Sequence, residues 1–523
     1  MDRFDWLRSK VFGRILDIGC NKGDLLRGTP FAPNTMGCDL DTWEVPYGLG
    51  FKQADAHELP FKDGEFNCSL LGEILEHVKD PVKVLKEARR VVNGYVVLTV
   101  PNEYCYDDKT EVLTLDGFKY FKELEMTDEI ATMNQKTGYL VYHRPTRIIH
   151  NKHNGPMIKF KGALYDLCVT PNHRMWVRKS SYAHYHGDMS FGFMDAAEVY
   201  NRCHSDIEMC KYANWVGEEQ KWFNLGGRRV RMDDWLRFLG WYISEGSRYY
   251  YAKRRMYCVF IGQRKEVNRP KIMSIVQRLG LHASLNKNGI TIYSKMLYNF
   301  LAPIGKTKEG TIHVPGYVKR LCKRQLWVFF ECLMAGDGHW TKRKGGGAFY
   351  ITKTKKLVDD VMEILLKLGW CGSYTRCHSE LGSWYSVSIN RYKLTPRIEG
   401  KVSKIHYQGD VWCVTVPNHL IYVRRNGKCV WCGNSWHPDL RPMMSLEDRI
   451  KADNTTYDAI IKHNTTDRPE CKGITDDKVN PHLWHVRNYT LDTLTEDIEK
   501  AGLRYKIEML SYDGWCFFVG ILK

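Results

Sequence analysis

The two ends of this chain carry strand and helix signals that belong to one sheet, and the sequence between them interrupts it. Arg14-Ile-Leu-Asp-Ile-Gly-Cys-Asn-Lys-Gly23 is an apolar strand running into a glycine turn, and Thr35-Met-Gly-Cys-Asp39 is a short strand ending in an acid. Phe66-Asn-Cys-Ser-Leu-Leu71 and Tyr95-Val-Val-Leu-Thr-Val100 read as buried strands. A helix from about Asp80 to Val92, with proline at its second position, lies between them. This alternation predicts a doubly wound parallel α/β sheet with a ligand at the carboxyl ends of its strands. It stops at Tyr104, before the sheet can close. The missing pieces come after residue 435: a helix from Leu491 to Gly502, then strands Tyr505–Leu510 and Trp515–Leu522. Joined, 1–104 and 435–523 make 193 residues, a sensible size for one domain.

Charge marks the same boundaries. Residues 1–104 and 435–523 together carry a net −6, whereas residues 105–434 carry +23. A mildly acidic protein is interrupted by a strongly basic one. Such an excess suits a phosphate-backbone partner, or a solvated basic surface. No apolar run approaches the roughly 20 residues needed to span a bilayer. Met1-Asp-Arg-Phe-Asp-Trp-Leu-Arg-Ser-Lys10 is too polar for a secretion signal. Without such a signal, the 17 cysteines favour free thiols, catalysis or metal over a disulfide framework, and the expected compartment is the cytoplasm.

In the flanks, Gly19 and Gly23 let the backbone pass close to a ligand, and an acid ending the second strand, Asp39, can accept hydrogen bonds from ribose hydroxyls. The Ile15–Asp24 segment, Asp39, Asp55-Ala-His-Glu-Leu-Pro-Phe61, Leu71-Gly-Glu-Ile-Leu-Glu-His-Val78 and Leu98-Thr-Val-Pro-Asn102 resemble a class I S-adenosylmethionine-dependent methyltransferase of the broad small-molecule type. The resemblance implies a Rossmann-like fold. Asp17, Gly19 and Gly23 would line the methionine end of the cofactor, Asp39 would hold the ribose, and Asp55 and Ala56 the adenine. Asn21 departs from the glycine common in that family. The methyl acceptor is not legible, although Glu73, His77 and His437 fall near strand ends.

The insert has chemically complementary ends. Cys105 stands at the upstream joint, and Cys429-Val-Trp-Cys-Gly-Asn434 precedes Ser435 at the downstream one. Breaking a peptide bond without water needs an internal nucleophile, which a thiol supplies. A hydroxyl at Ser435 can receive the acyl group, and the Asn434 amide can close a five-membered imide on its own carbonyl. The insert ends, together with Leu164-Tyr-Asp-Leu-Cys-Val-Thr-Pro-Asn-His173 and Asp410-Val-Trp-Cys-Val-Thr-Val-Pro-Asn-His419, resemble inteins with a mainly β, pseudo-symmetric Hint splicing domain. That resemblance implies roles. Cys105 makes a thioester, Thr170 and His173 activate the upstream amide, Ser435 accepts the acyl group, and Asn434 cyclises with help from His419. Cys413 sits where many inteins have Asp, and Gly433 where many have His. Cys429-x-x-Cys432 lacks the second pair a zinc site needs; it reads as plain thiols or a redox bridge.

Residues 231–395 contain an internal repeat. Trp235-Leu-Arg-Phe-Leu-Gly-Trp-Tyr-Ile-Ser-Glu-Gly-Ser247 and Val328-Phe-Phe-Glu-Cys-Leu-Met-Ala-Gly-Asp-Gly338 are apolar helices ending in an acid and a glycine. Packed together they would place Glu245 beside Asp337, and paired carboxylates can hold a divalent metal for phosphodiester hydrolysis. This resembles a single-chain LAGLIDADG homing endonuclease, which implies an α+β fold, Mg²⁺, and double-stranded DNA held by basic residues such as Lys253-Arg-Arg255 and Lys342-Arg-Lys344. A lysine that often precedes the second motif is missing from its usual place near Ile312, with Lys306 or Lys308 as substitutes.

The expectation is therefore a multi-domain chain. Methyltransferase parts occupy 1–104 and 435–523, splicing-domain parts 105–230 and 396–434, and the endonuclease 231–395. Splicing would yield the methyltransferase, and the precursor would be a poor enzyme because its last strands arrive from beyond Ser435. Two alternatives stand. One is a non-splicing fusion whose insert only binds DNA beside an inactive methyltransferase. The other is a methyltransferase carrying an inert domain.

Overall fold

The computed structural model describes residues 3–101, 105–179, 190–202, 207–304, 312–341, 347–380, 382–434, 491–512 and 515–523. The flanks form one seven-stranded sheet. Its order is Tyr505–Tyr512, Trp515–Leu522, Val92–Pro101, Phe66–Gly72, Ile15–Ile18, Thr35–Asp39, Phe51–Gln53. The first five strands of the chain are parallel, and the last two run antiparallel at one edge. Ile15–Ile18 is buried at every position, as a central strand covered on both faces must be. The helix Pro81–Arg90 packs on the sheet with Val84, Leu85 and Ala88, and the Asp80 side chain caps it by accepting from the Lys83 amide at 3.0 Å.

The closing strands do not wait for removal of the insert. Trp515–Leu522 pairs with Val92–Pro101 from Leu522↔Val96 to Phe517↔Pro101 while residues 105–434 are still in place. The strands that arrive from beyond Ser435 thus join the sheet with the insert still attached. A sheet edge needs only the register of its partner strand, and an insert leaving from the end of Val92–Pro101 does not occupy that edge.

The insert builds five sheets of its own among the described residues, and two of them hold its ends. A closed barrel joins Arg147–Lys161, Asp166–Val169, Tyr106–Asp107 and Lys401–Thr415. Arg147–Lys161 and Lys401–Thr415 pair residue for residue, from Arg147↔Thr415 to Lys161↔Lys401. A second sheet runs through Thr110–Thr114, Leu420–Arg425 and Lys428–Gly433, then continues into Cys371–Ser379 and Gly382–Asn390. The junction is the Ser373↔Lys428 pair. Residues 231–395 are thus joined through one sheet to the segments on either side.

The internal repeat is visible in element order. Helices Met232–Glu245 and Lys323–Asp337 are each followed by strands and then by a second helix, Arg269–Arg278 and Lys355–Lys367. Each second helix is followed closely by a glycine at positive φ, Gly280 (+67°) and Gly369 (+79°), as a left-handed helix stop requires. Cys429 and Cys432 are three apart on one strand, so they face opposite sides and join different cores. Three strand residues span about 10 Å, beyond disulfide reach. The fourteen cysteines from Cys20 to Cys432 whose side chains are described are free thiols. No helix there is long and apolar enough to cross a membrane.

Candidate active sites

The upstream joint is held by its own backbone. The Cys105 N–H donates to Thr170 Oγ1 at 3.1 Å, and the Thr170 N–H donates to the Cys105 carbonyl at 3.0 Å. Strand pairing of Tyr106 with Val169 fixes that register. Below it, Arg425 binds Asp107 at 2.8 Å and Asp166 at 2.5 Å, tying both strands to Leu420–Arg425. The turn Thr170-Pro-Asn-His173 closes with the His173 N–H on the Thr170 carbonyl at 3.0 Å, which swings the His173 ring inward. Cys105 and His173 are buried, and the Tyr106 ring meets the His173 ring edge-on at 4.2 Å.

The downstream joint arrives at the same place. The Tyr106 hydroxyl donates to the Gly433 carbonyl, and the Asn434 N–H donates to the His419 carbonyl at 3.2 Å. His419 adopts φ +58°, a left-handed turn conformation, after the second Pro-Asn-His. Cys413 is fully buried, and its thiol is turned to the Val414 carbonyl. The thiols of Cys432, Cys413 and Cys105 all lie near the Tyr106 hydroxyl. Gly433 has no room for a side chain, because a Cβ there would lie 2.4 Å from the Arg174 carbonyl oxygen. That explains the missing histidine. Thus Cys105, Thr170, His173, Cys413 and Asn434, spread over 330 residues, are buried in one region, with the half-buried His419 at its edge; Ser435 lies outside the described residues.

Burial pushes the His173 imidazole down to about 3, with the nearby Arg174 adding to the shift and the Gly433 carbonyl opposing it. Neither ring nitrogen has a full hydrogen bond within the described residues. His173 is therefore a neutral imidazole at physiological pH, able to take a proton and hand it on.

In the flanking sheet, Asp17 lies fully buried in the first strand, one residue before its end. Tyr47 donates to its Oδ2 at 2.5 Å, while its Oδ1 has no partner among the described residues. Burial raises this carboxyl to about 7; the Tyr47 hydrogen bond opposes that and the Asp39 charge adds to it. Gly19, Asn21 and Gly23 have φ of +70°, +46° and +72°. Asn tolerates that region, so the departure from glycine leaves the turn intact. The Asn21 N–H donates to Asp39 Oδ2 at 2.9 Å. Asp55 accepts from the His57 N–H at 2.8 Å; although burial works against ionisation, these His57 contacts hold its carboxyl below the usual range. Ala56 is buried beside it. The space beside Gly19 is filled by Ile74, and that beside Gly23 by Pro46 and Tyr47. An orphaned buried acid, a left-handed turn and acids at adjacent strand ends fit a cationic cofactor bearing hydroxyls. Glu73 stands at φ +57° after Phe66–Gly72, a strained position for a non-glycine residue, next to the Ile74 that packs on Gly19. His437 lies outside the described residues.

In residues 231–395, the helices Met232–Glu245 and Lys323–Asp337 pack backbone to backbone. A Cβ on Gly240 would meet the Phe329 carbonyl at 2.6 Å, and one on Gly336 would lie 3.2 Å from Glu245 Cγ. The Ser244 hydroxyl donates to the Leu333 carbonyl at 2.8 Å. Glu245 and Asp337 both lie near the buried Tyr350. Among the described residues no group of three or more His, Cys, Asp or Glu side chains could hold a metal, so an ion would rest on this pair plus substrate oxygens. Lys253-Arg-Arg255 follow the exposed Tyr249, Tyr250 and Tyr251. Lys306, Lys308 and Lys342-Arg-Lys344 lie outside the described residues.

Sequence reasoning did not single out Tyr106 or Tyr47. Tyr47 left no local signal. Tyr106 had one, as the residue next to the proposed nucleophile, but its partner is 327 residues away.

A family model described as a methyltransferase domain matches residues 3–145. The match runs past Cys105, whereas the strands of the first sheet in that stretch end at Pro101. The DNA-directed RNA polymerase subunit beta C-terminal section of Stigeoclonium helveticum is 26% identical over 398 residues, covering 64% of this chain and 36% of that protein. The ATP-dependent Clp protease proteolytic subunit of Chlamydomonas moewusii is 24% identical over 478 residues, covering 66% and 47%. The chain spans less than half the length of these two relatives. Among solved structures, that of I-DmoI in complex with DNA and Ca is similar at 18% identity and a TM-score of 0.24, over 30% of this chain and 83% of that one.

Proposed function

We propose that the chain is a self-splicing precursor whose flanks become an S-adenosylmethionine-dependent methyltransferase. One observation carries the splicing reading: the Tyr106–Gly433 hydrogen bond brings the residues next to Cys105 and Asn434 into contact inside a buried region that also holds Thr170 and His173. Two relatives named for unrelated activities add support. Their matches cover 64% and 66% of this chain, a share close to that of the 330 residues from Cys105 to Asn434 among 523, as a segment that moves between hosts would.

The chemistry needs no water until the end. The Cys105 sulfur bonds to the Tyr104 carbonyl carbon, the Tyr104–Cys105 amide breaks, and the thiol proton passes through His173 to the departing nitrogen. Thr170 holds that nitrogen. The Ser435 oxygen then takes the acyl group and returns the thiol to Cys105. The Asn434 side-chain nitrogen bonds to its own carbonyl carbon, the Asn434–Ser435 bond breaks, and the proton moves to the Ser435 amine with His419 and Cys413 nearby. That amine displaces the ester oxygen to give an ordinary peptide bond.

Intact mass of the wild-type chain should show a ligated 193-residue product and a 330-residue insert, while Cys105→Ala with Asn434→Ala stays at 523 residues. A wild-type chain that stays at 523 residues overturns the reading.

In the flanks, S-adenosylmethionine would supply an electrophilic methyl group, with Asp17, the Gly19–Gly23 turn and Asp39 holding it and Asp55 and Ala56 beside its base. A second reading, for residues 231–395, is a site-specific, Mg²⁺-dependent DNA endonuclease. The close approach of Gly336 to Glu245, next to Asp337, favours it. Glu245→Gln with Asp337→Asn is expected to abolish Mg²⁺-dependent cutting of DNA bearing the uninterrupted flank sequence, read on a gel. Cutting that persists would reject the pair as metal ligands.

A further inference from the structure

We propose that Tyr106 is a positioning residue that supplies, from the upstream joint, the hydrogen bond that sets up cleavage at the downstream one. The inference rests on the splicing reading above.

Imide formation requires the Asn434 side-chain amide to fold over its own carbonyl. That is a matter of orientation, and holding the reacting groups in place is worth more than any single contact. The Gly433–Asn434 peptide is planar, so pinning its two polar ends fixes it. Its carbonyl accepts from the Tyr106 hydroxyl, and its N–H donates to the His419 carbonyl at 3.2 Å. Only the torsions of Asn434 beyond that plane are left to move. A side chain at 433 cannot do this work, because a Cβ there would lie 2.4 Å from the Arg174 carbonyl oxygen and 2.9 Å from the Arg174 Cβ. The donor has to come from elsewhere, and Tyr106 brings it.

The tyrosine is itself rigidly placed. Its ring stacks on Phe121 at 5.3 Å and meets His173 at 4.2 Å, and its backbone pairs with Val169 and Trp412. It is fully buried, which keeps the hydroxyl protonated and donating. Because it follows Cys105 directly, the same side chain sets the spacing between the thiol and the downstream joint. Tyr106 thus acts after the thioester, on acyl transfer and imide closure.

The test uses the full chain and separates the two joints. Cleavage at Cys105 by added dithiothreitol reports the thioester; release of the 330-residue insert reports Asn434. Tyr106→Phe keeps the stacked ring. It should leave thiol cleavage within about twofold of wild type and slow insert release by about 3- to 30-fold, the worth of one hydrogen bond. A fluorinated tyrosine at 106, with a more acidic hydroxyl and the same shape, should release the insert at least as fast as wild type. The expected order is therefore Phe, then Tyr, then fluorotyrosine. If insert release does not follow hydroxyl acidity, or if Tyr106→Phe slows both joints equally, the inference is overturned and Tyr106 is only core packing. If Tyr106→Phe misfolds, the comparison of tyrosine with fluorotyrosine decides. A wild-type chain inert at both joints would instead sink the splicing reading itself.

Discussion

Replacing His173 by asparagine should slow dithiothreitol-induced cleavage at Cys105 by about 10²- to 10⁴-fold, the usual contribution of a positioned general acid–base. The residue is buried against Tyr106, on the turn whose Thr170 binds the Cys105 amide in both directions. Asparagine keeps the size but cannot shuttle a proton. Because the ring is held down to about 3, it is neutral from pH 5 to 8, and the cleavage rate should show no step at the ordinary imidazole value of 6.5. Stability carries the opposite signature. As pH falls, the unfolded chain takes up this proton first, near 6.5, and the folded chain only near 3. The stabilisation is therefore complete above about 6.5 and is lost as pH falls through that value toward 3, by an amount on the order of 5 kcal/mol. Urea titrations at pH 7 and pH 4.5 would show it, and His173→Asn should flatten the difference. A step in the wild-type rate at 6.5 would mean that the ring is solvated.

Arg424→Met should destabilise the insert by about 3–5 kcal/mol, because it leaves two buried carboxylates sharing one cation, Lys355, which lies 3.6 Å from Glu111 and 2.8 Å from Asp359. Arg424 is fully buried. It donates to Glu111 at 2.7 and 2.6 Å and to Asp359 at 2.5 Å, and its guanidinium sits 3.6 Å from the Phe118 ring centre. The three charged residues come from three segments: Glu111 from 105–230, Arg424 from 396–434 and Asp359 from 231–395. The loss should therefore lower the unfolding midpoint of the whole insert rather than of one part. Adding Glu111→Gln and Asp359→Asn should recover most of it, since the cost lies in the excess buried negative charge that Lys355 alone does not balance. A single variant with the wild-type midpoint would mean that water reaches this site.

Most of the flanking sheet could be read locally. Ile15–Ile18, Phe66–Gly72 and Val92–Pro101 are short, mainly apolar segments broken by only a few polar residues such as Asp17, Asn67 and Asn93, and Asp80-Pro81 opens a helix by capping rules that act within one turn. Val-Thr-Pro-Asn-His and Val-Thr-Val-Pro-Asn-His were legible as motifs in the sequence, and the structure places His173 near Cys105 and His419 at Asn434. Less was legible where the partner is remote. The sheet closes with the insert in place, because Trp515–Leu522 finds its edge regardless of what lies between. The sequence showed glycine at 433 where many inteins have histidine; only the packing shows that a Cβ there would lie 2.4 Å from the Arg174 carbonyl oxygen.

The sequence by itself determined which chemistries were at hand: a thiol, an asparagine and a hydroxyl at the ends of a basic insert, and acids at the ends of apolar strands and helices. Residue type and periodicity are properties of neighbours in the chain, so they can be read there. Only the tertiary structure decided that Tyr106 meets Gly433, that Arg424 is shared by Glu111 and Asp359, and that Glu245 lies against Gly336. Those contacts arise from how sheets and helices pack, across hundreds of residues, and no local pattern encodes a partner at that distance.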